Sequence, residues 1–193
     1  SHTSAPLPVI NPHKPGYSAG GSSSGSAVLV STGEVDMAIG GDQGGSIRMP
    51  ASYTGVYGMK PTHGLVPYTG IMPIELTIDH TGPMTSTVED NALLLEVIAG
   101  EDGMDPRQYS VQTSRYTEAL GKSVSGFKIG VVKEGFGHEI SESDVDERVH
   151  KGAKLFESMG ATVEEISIPM HLLGPAIWTP VACLLYTSQI PRD

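Results

Sequence analysis

Serine hydroxyls set among glycines are the groups of this chain best suited to chemistry. One loop reads Gly-Gly-Ser-Ser-Ser-Gly-Ser over 20–26, and a second reads Gly-Gly-Asp-Gln-Gly-Gly-Ser-Ile-Arg-Met-Pro over 40–50. A serine is a weak nucleophile at neutral pH, so attack on an acyl carbon needs a partner within hydrogen-bond reach to take its proton. Glycines beside it let backbone N–H groups converge on a developing oxyanion, because no Cβ blocks the approach and positive φ is open to them. Ser22 and Ser46, 24 residues apart, are the candidate hydroxyls. The N–H groups of Gln43, Gly44, Gly45 and Ser46 are the candidate oxyanion donors. This pattern predicts acyl transfer, with Asp42 and Arg48 orienting the loop by hydrogen bonds or an ion pair.

Other chemistries fit less well. Gly/Ser loops alone also suit flexible linkers, but linkers do not carry Asp42, Arg48 and Pro50 at fixed places between apolar segments. The seven histidines show no His-x-x-x-His spacing, so no metal site is expected. Asp79-His80 invites a Ser-His-Asp reading, yet neighbours on a strand point to opposite faces and are poorly placed to bond each other. Gly44-Gly45-Ser46-Ile47-Arg48 ends in Arg, not the Gly of a nucleophile elbow, and no Gly-x-x-x-x-Gly-Lys phosphate loop is present. No cofactor is implied.

The elements that must position these loops follow from pattern. Prolines 6, 8, 12 and 15 make residues 1–21 an extended approach. A helix is predicted from Ser24 to Ser31, stopped by Gly33, followed by a short strand over Val35–Ile39. Thr81–Thr85 reads as a strand. Thr87–Ala99 reads as a helix, capped by Thr87 with Asp90 three residues on, ended by Gly100, and buried along Val88, Ala92, Leu95 and Ala99, with Leu94 and Ile98 widening the stripe. Phe127–Val132 is predicted as a core strand, and Asp144–Met159 as a helix with an apolar face of Val145, Val149, Phe156 and Met159. Ala161–Ile168 returns to strand. This β-α-β order predicts an α/β fold with a parallel pair.

Composition narrows the function. Gly and Pro make up 38 of 193 residues, clustered beside apolar runs as in a loop-rich catalytic scaffold. A net charge of −10 argues against nucleic-acid binding, which needs clustered Lys and Arg, and favours a small-molecule partner. The single cysteine, Cys183, allows no intrachain disulfide, which suits a reducing, cytoplasmic compartment. No apolar run approaches the ~20 residues of a membrane span. From about Ala182 to Asp193 the periodicity breaks, and that stretch resembles translated adaptor sequence, so residues 182–193 are expected to be a non-native tail.

From Gly20 to Pro50 the chain resembles, without a gap, the core of the amidase signature family of Ser-Ser-Lys enzymes. The resemblance continues through Gly58-Met59-Lys60-Pro61-Thr62, Pro67-Tyr68-Thr69-Gly70, Thr77–Pro83 and Asp105-Pro106-Arg107-Gln108 to about Trp178. It implies amide hydrolysis, with Ser46 as nucleophile, Ser22 as the bridging serine behind a cis peptide, and a neutral lysine as base. It also implies a mixed β-sheet flanked by helices, commonly in a dimer. The form Gly-Gly-Asp-Gln-Gly-Gly-Ser is most like bacterial amidases that act after nitrile hydratases on small aliphatic or aromatic amides. A glutaminase subunit of a tRNA-dependent amidotransferase is the alternative enzyme, and an anion-binding or structural fragment the non-catalytic one. Two departures stand out. Ser24 replaces a usual Gly, and no lysine occupies the family's upstream position, since Lys14 lies only 8 residues before Ser22 and Lys60 follows Ser46. Residues 1–181 are therefore expected to be part of an amidase domain, holding two of its three catalytic groups.

Overall fold

Three short strands carry the second serine loop. In the computed structural model, which describes residues 7–188 and side chains through Cys183, these are β1 (Met37–Asp42), β2 (Tyr57–Gly58) and β3 (His80–Thr85). β3 lies between the other two, antiparallel to both, and pairs with β1 from Met37↔Thr85 to Asp42↔His80. The central place of β3 accounts for the burial of every residue from Thr81 to Thr85. β1 starts two residues after the predicted strand and runs on through Gly40, Gly41 and Asp42, because pairing with β3 outweighs the weak strand preference of glycine.

Two short helices flank the loop. Helix α1 (Ser24–Ser31) forms as the sequence predicts, buries Ala27 and Val30, and is followed by Gly33 in the left-handed region. Helix α2 (Arg48–Thr54), which the pattern did not predict, begins two residues after Ser46 and ends at left-handed Gly55. Ala27, Ile47, Ala51 and Met84 form the apolar core beneath the loop, with Val56 packed against it.

Helix α3 (Val88–Ile98) is capped as predicted: the Asp90 N–H donates to Thr87 Oγ1 at 3.0 Å. Its buried stripe differs from the prediction. Val88 is exposed, and Asn91 is buried beside Leu95. The Asn91 amide donates to the Tyr57 carbonyl and to Thr85 Oγ1, so a polar residue can take a core position because its hydrogen bonds are met there.

The chain divides into two compact units between Leu120 and Gly121. The second contains β4 (Lys128–Val132), α4 (Ser143–Ser158) and β5 (Thr162–Ile166), with β4 and β5 parallel as the β-α-β order predicts. The antiparallel and parallel pairings expected of a mixed sheet thus lie in separate sheets. Phe127–Val132 was predicted as a core strand, but Phe127 is 61% exposed, and Val145, Val149, Phe156 and Met159 are all exposed on α4. Ala161 is the buried apolar residue of this unit among the described residues. Helix α5 (Gly174–Ser188) runs through Ala182, where the periodicity breaks, and residues 189–193 of the expected tail lie outside the described residues.

Candidate active site

The second serine loop is organised around one carboxylate. Asp42, the last residue of β1, is fully buried. Its Oδ1 accepts the Gly45 N–H at 2.7 Å, and its Oδ2 accepts those of Ile47 at 3.1 Å and Arg48 at 3.3 Å. The Ile47 and Arg48 N–H groups are ones that the start of α2 leaves without intrahelical partners, so Asp42 does the work of a capping residue from outside the helix. Arg48 closes the arrangement with a forked ion pair, Nε to Oδ2 at 3.0 Å and a terminal nitrogen to Oδ1 at 2.9 Å. Burial pulls the Asp42 pKa up, but Arg48 and the Gly45 and Ile47 N–H groups outweigh it and hold the carboxyl below its ordinary value. The orienting role read for Asp42 and Arg48 is what the geometry shows. The tight reversal needs glycine at 45, where φ is +124°.

The first loop reaches the second through Ser23. Its N–H donates to the Ser46 carbonyl at 3.1 Å, while its hydroxyl donates to the Gly41 carbonyl and accepts the Gly41 N–H. Ser22 therefore stands one residue from a direct contact with Ser46. The Gly21–Ser22 peptide is cis, as the resemblance implied. Gly20 sits so near α2 that a Cβ there would lie 2.7 Å from the Pro50 Cα, a spacing only glycine allows. Ser22 is exposed and Ser46 half-buried, so both are open to a substrate. Of the four expected backbone donors, Gly45 gives its N–H to Asp42 and is engaged inside the loop.

The two lysines are placed differently. The Lys14 ammonium lies 3.8 Å from the centre of the Tyr17 ring. Lys60 donates to the Pro61 carbonyl at 2.7 Å. Burial lowers the Lys60 pKa, the nearby Arg48 lowers it further, and Asp42 opposes them. A cavity of about 460 Å3 lined by Lys60, His63, Leu95, Arg107 and Tyr116, among others, includes neither Ser22 nor Ser46.

Asp79 and His80 turn to different partners, although β3 begins only at His80, so the two are not neighbours on a strand as the sequence argument assumed. His80 Nδ1 is bonded to the Ile78 carbonyl at 2.7 Å, and its ring meets that of His63 edge-on. Buried Asp79 instead meets Gln43, whose Nε2 donates to Asp79 Oδ1 at 2.8 Å and to the Tyr68 hydroxyl at 3.0 Å. Behind them Arg107 grips Asp105 and donates to the Asp79 carbonyl, and Asp105 Oδ2 accepts the Tyr68 N–H at 2.8 Å. The Arg107 guanidinium holds the Asp105 carboxyl well below the ordinary carboxylate range. This network was missed in the sequence because the bonds that join Gln43 to Tyr68 and Asp79, and Tyr68 to Asp105, span 25 to 37 positions. The signal that would have found it is strand register: pairing Asp42 with His80 sets Gln43 opposite Asp79.

The Amidase family profile matches residues 1–189. An enantioselective amidase of Rhodococcus rhodochrous is 50% identical over 186 residues, which are 94% of this chain and 35% of that protein. The A subunit of the glutamyl-tRNA(Gln) amidotransferase of Exiguobacterium sibiricum is 48% identical over 192 residues, covering 100% of this chain and 40% of that one. Among solved structures, the same amidotransferase component from Thermotoga maritima superposes with a TM-score of 0.90 at 38% identity, over 98% of this chain and 42% of its own. A bacterial aryl acylamidase of the amidase signature family gives 0.81 at 34%, over 94% and 38%. The chain thus spans well under half the length of these relatives. With a family profile over nearly all its residues, and the two serine loops held together, this chain belongs to the amidase signature family.

Proposed function

We propose that the protein carrying this chain hydrolyses carboxamides to carboxylates and ammonia through an acyl-enzyme on Ser46. The observation that carries this reading is the hydrogen bond from the Ser23 N–H to the Ser46 carbonyl, which locks the two serine loops side by side. The Ser46 hydroxyl attacks the amide carbon as Ser22 takes its proton and passes it to a neutral lysine lying outside these residues. The N–H groups of Gln43, Gly44 and Ser46 stabilise the tetrahedral oxyanion, Gly45 being engaged with Asp42. Collapse expels ammonia, which carries the relayed proton away. Water then adds to the acyl group by the same relay and releases the acid. The substrate is a small amide, the site requires no metal or cofactor for these steps, and the compartment is cytoplasmic. Among the described residues no helix is long and apolar enough to cross a membrane.

A second reading is favoured by the likeness to the amidotransferase component from Thermotoga maritima. In that case the same acyl chemistry acts on glutamine and the ammonia passes to a partner. Ammonia release by the full-length protein from a simple amide, with no partner present, supports the first reading; turnover of glutamine alone, and only with a partner, supports the second. The nucleophile is tested with a fluorophosphonate. It should label Ser46, and Ser46→Ala should lose several orders of magnitude in kcat. Ser22→Ala should lose less, because water partly replaces a relay but not a nucleophile. Labelling that persists in Ser46→Ala overturns the assignment.

A further inference from the structure

The oxyanion loop is held from two sides, and the catalytic reading uses only one of them. Asp42 fixes its far half, through the N–H groups of Gly45, Ile47 and Arg48. Its near half, Gln43 and Gly44, receives nothing from Asp42 and is anchored by the Gln43 side chain. That side chain spends both amide hydrogens, one on Asp79 Oδ1 at 2.8 Å and one on the Tyr68 hydroxyl at 3.0 Å. Its anchors are themselves fixed. Tyr68 is held by its N–H on Asp105 and by Arg107 against its ring, 4.9 Å from the centroid. Asp79 is fully buried, and its second oxygen accepts the N–H groups of Ile74 at 3.0 Å and Glu75 at 3.1 Å. Among the described residues, Gln43 is the one side chain that donates to the Asp79 carboxylate.

A buried carboxylate is expensive to leave short of donors, so it enforces the geometry of the groups that satisfy it. We propose that Asp79 is a positioning residue for catalysis: through the Gln43 amide it sets the direction of the Gln43 backbone N–H, and it couples that donor to the 70–78 segment. This rests on the oxyanion role proposed above. It makes Gln43 more than a loop residue, since its side chain aims its own main chain.

The bond can be reversed in polarity without removing it. Asp79→Asn alone turns an amide nitrogen toward the Gln43 nitrogen, donor against donor. Gln43→Glu alone sets carboxylate against carboxylate. Together they restore one hydrogen bond, with the introduced amide donating to the introduced carboxylate while the amide oxygen still accepts the Ile74 and Glu75 N–H groups. In the full-length protein each single change should lower kcat on a small amide by ~100-fold, the lower end of what loss of an oxyanion donor costs. KM should stay within about 3-fold, as expected when only the transition state is affected. The double variant should recover to within about 10-fold of the parent in kcat and in its rate of fluorophosphonate inactivation. Losses that multiply in the double variant overturn the proposal, as do single variants that melt lower but keep the parent kcat. Should a single variant fail to fold, Gln43→Met, which leaves Asp79 both backbone donors, must show the kcat loss; an unchanged kcat there overturns it too. Ser46→Ala separates the two levels. Turnover retained by Ser46→Ala overturns the acyl-enzyme reading, whereas turnover lost there with multiplying losses at 43 and 79 overturns only the positioning role.

Discussion

The two units of this chain are built from similar local signals and reach different ends. In the first, Ile47 and Met84 are fully buried beneath a loop whose polar groups are met by Asp42 and Asp79. In the second, α4 carries an equally regular apolar stripe, yet Leu155 is 61% and Val145 56% exposed. Regular elements therefore form here with or without a core over them. Contact at long sequence separation is common to both, since β4 meets β5 34 positions on and β1 meets β3 some 40 on; what the first unit has in addition is that such contacts are buried, as at Asp42 and Asp79. A catalytic loop needs that kind of closure, because hydrogen bonds aimed at a transition state work only if their donors are already fixed.

The comparison is broken or sharpened most strongly by truncating one apolar residue in each unit. In this chain, Ile47→Ala should cost ~2–5 kcal/mol, since it opens a cavity in the core under the second serine loop. Leu155→Ala should cost less than about 0.5 kcal/mol, as for a surface change. Urea-dependent amide hydrogen exchange, followed separately in β3 and α4, measures both. Equal costs would mean that α4 is covered as well as the core is.

Acid provides the next contrast. Asp42 and Asp105 have pKa values lowered in the folded chain, and the latter is held by Arg107. Groups lowered on folding add stability that is fully present above the unfolded value of about 3.9 and is lost as pH falls through the folded values. Exchange protection in β1 and β3 should therefore fall on acidification below about pH 4, and 1 M salt should leave the effect largely in place because both carboxylates are buried. In the second unit, Asp146 is lowered by the Gly137 N–H and then by Ser141 and is only half-buried, so any acid effect on α4 should weaken in salt more than that on β3. An acid response of β3 that vanishes in salt would show that the Asp42 and Asp105 pairs do not hold the first unit together.

The smallest effects lie at the helix caps. Thr87→Ala should cost ~1 kcal/mol of α3 stability, because it removes the bond to the Asp90 N–H. The N-cap of α4, Glu142, is extended but makes no side-chain cap bond, so Glu142→Ser should stabilise α4 by up to ~1 kcal/mol. Helical content by circular dichroism over a thermal ramp reads both, and a neutral Glu142→Ser would mean that α4 is limited by its uncovered face and not by its end.

Much of the site was legible in the residues themselves. Gly20–Ser26 and Gly40–Pro50 mark the two serine loops that the fold brings together, and Thr87 with Asp90 announces a helix start. Such signals are local: a glycine's freedom, a capping side chain and an apolar period act within a few positions. Helix α2 was missed because its start is stabilised not by its own N-cap but by Asp42, six residues before Arg48. The buried stripe of α3 was misplaced at Asn91, whose core position depends on Tyr57 and Thr85 being nearby.

The sequence by itself thus determined the residues on offer for chemistry, helices α1, α3 and α4, and the parallel pairing of β4 with β5. Tertiary structure alone decided which backbone donors stay available once Asp42 has taken the Gly45 N–H, which apolar faces are covered, and that Gln43 meets Asp79. The physical reason is separation along the chain: a residue's conformational preference travels with it, but a hydrogen-bond partner 36 positions away is chosen by register, and register exists only once the sheet has formed.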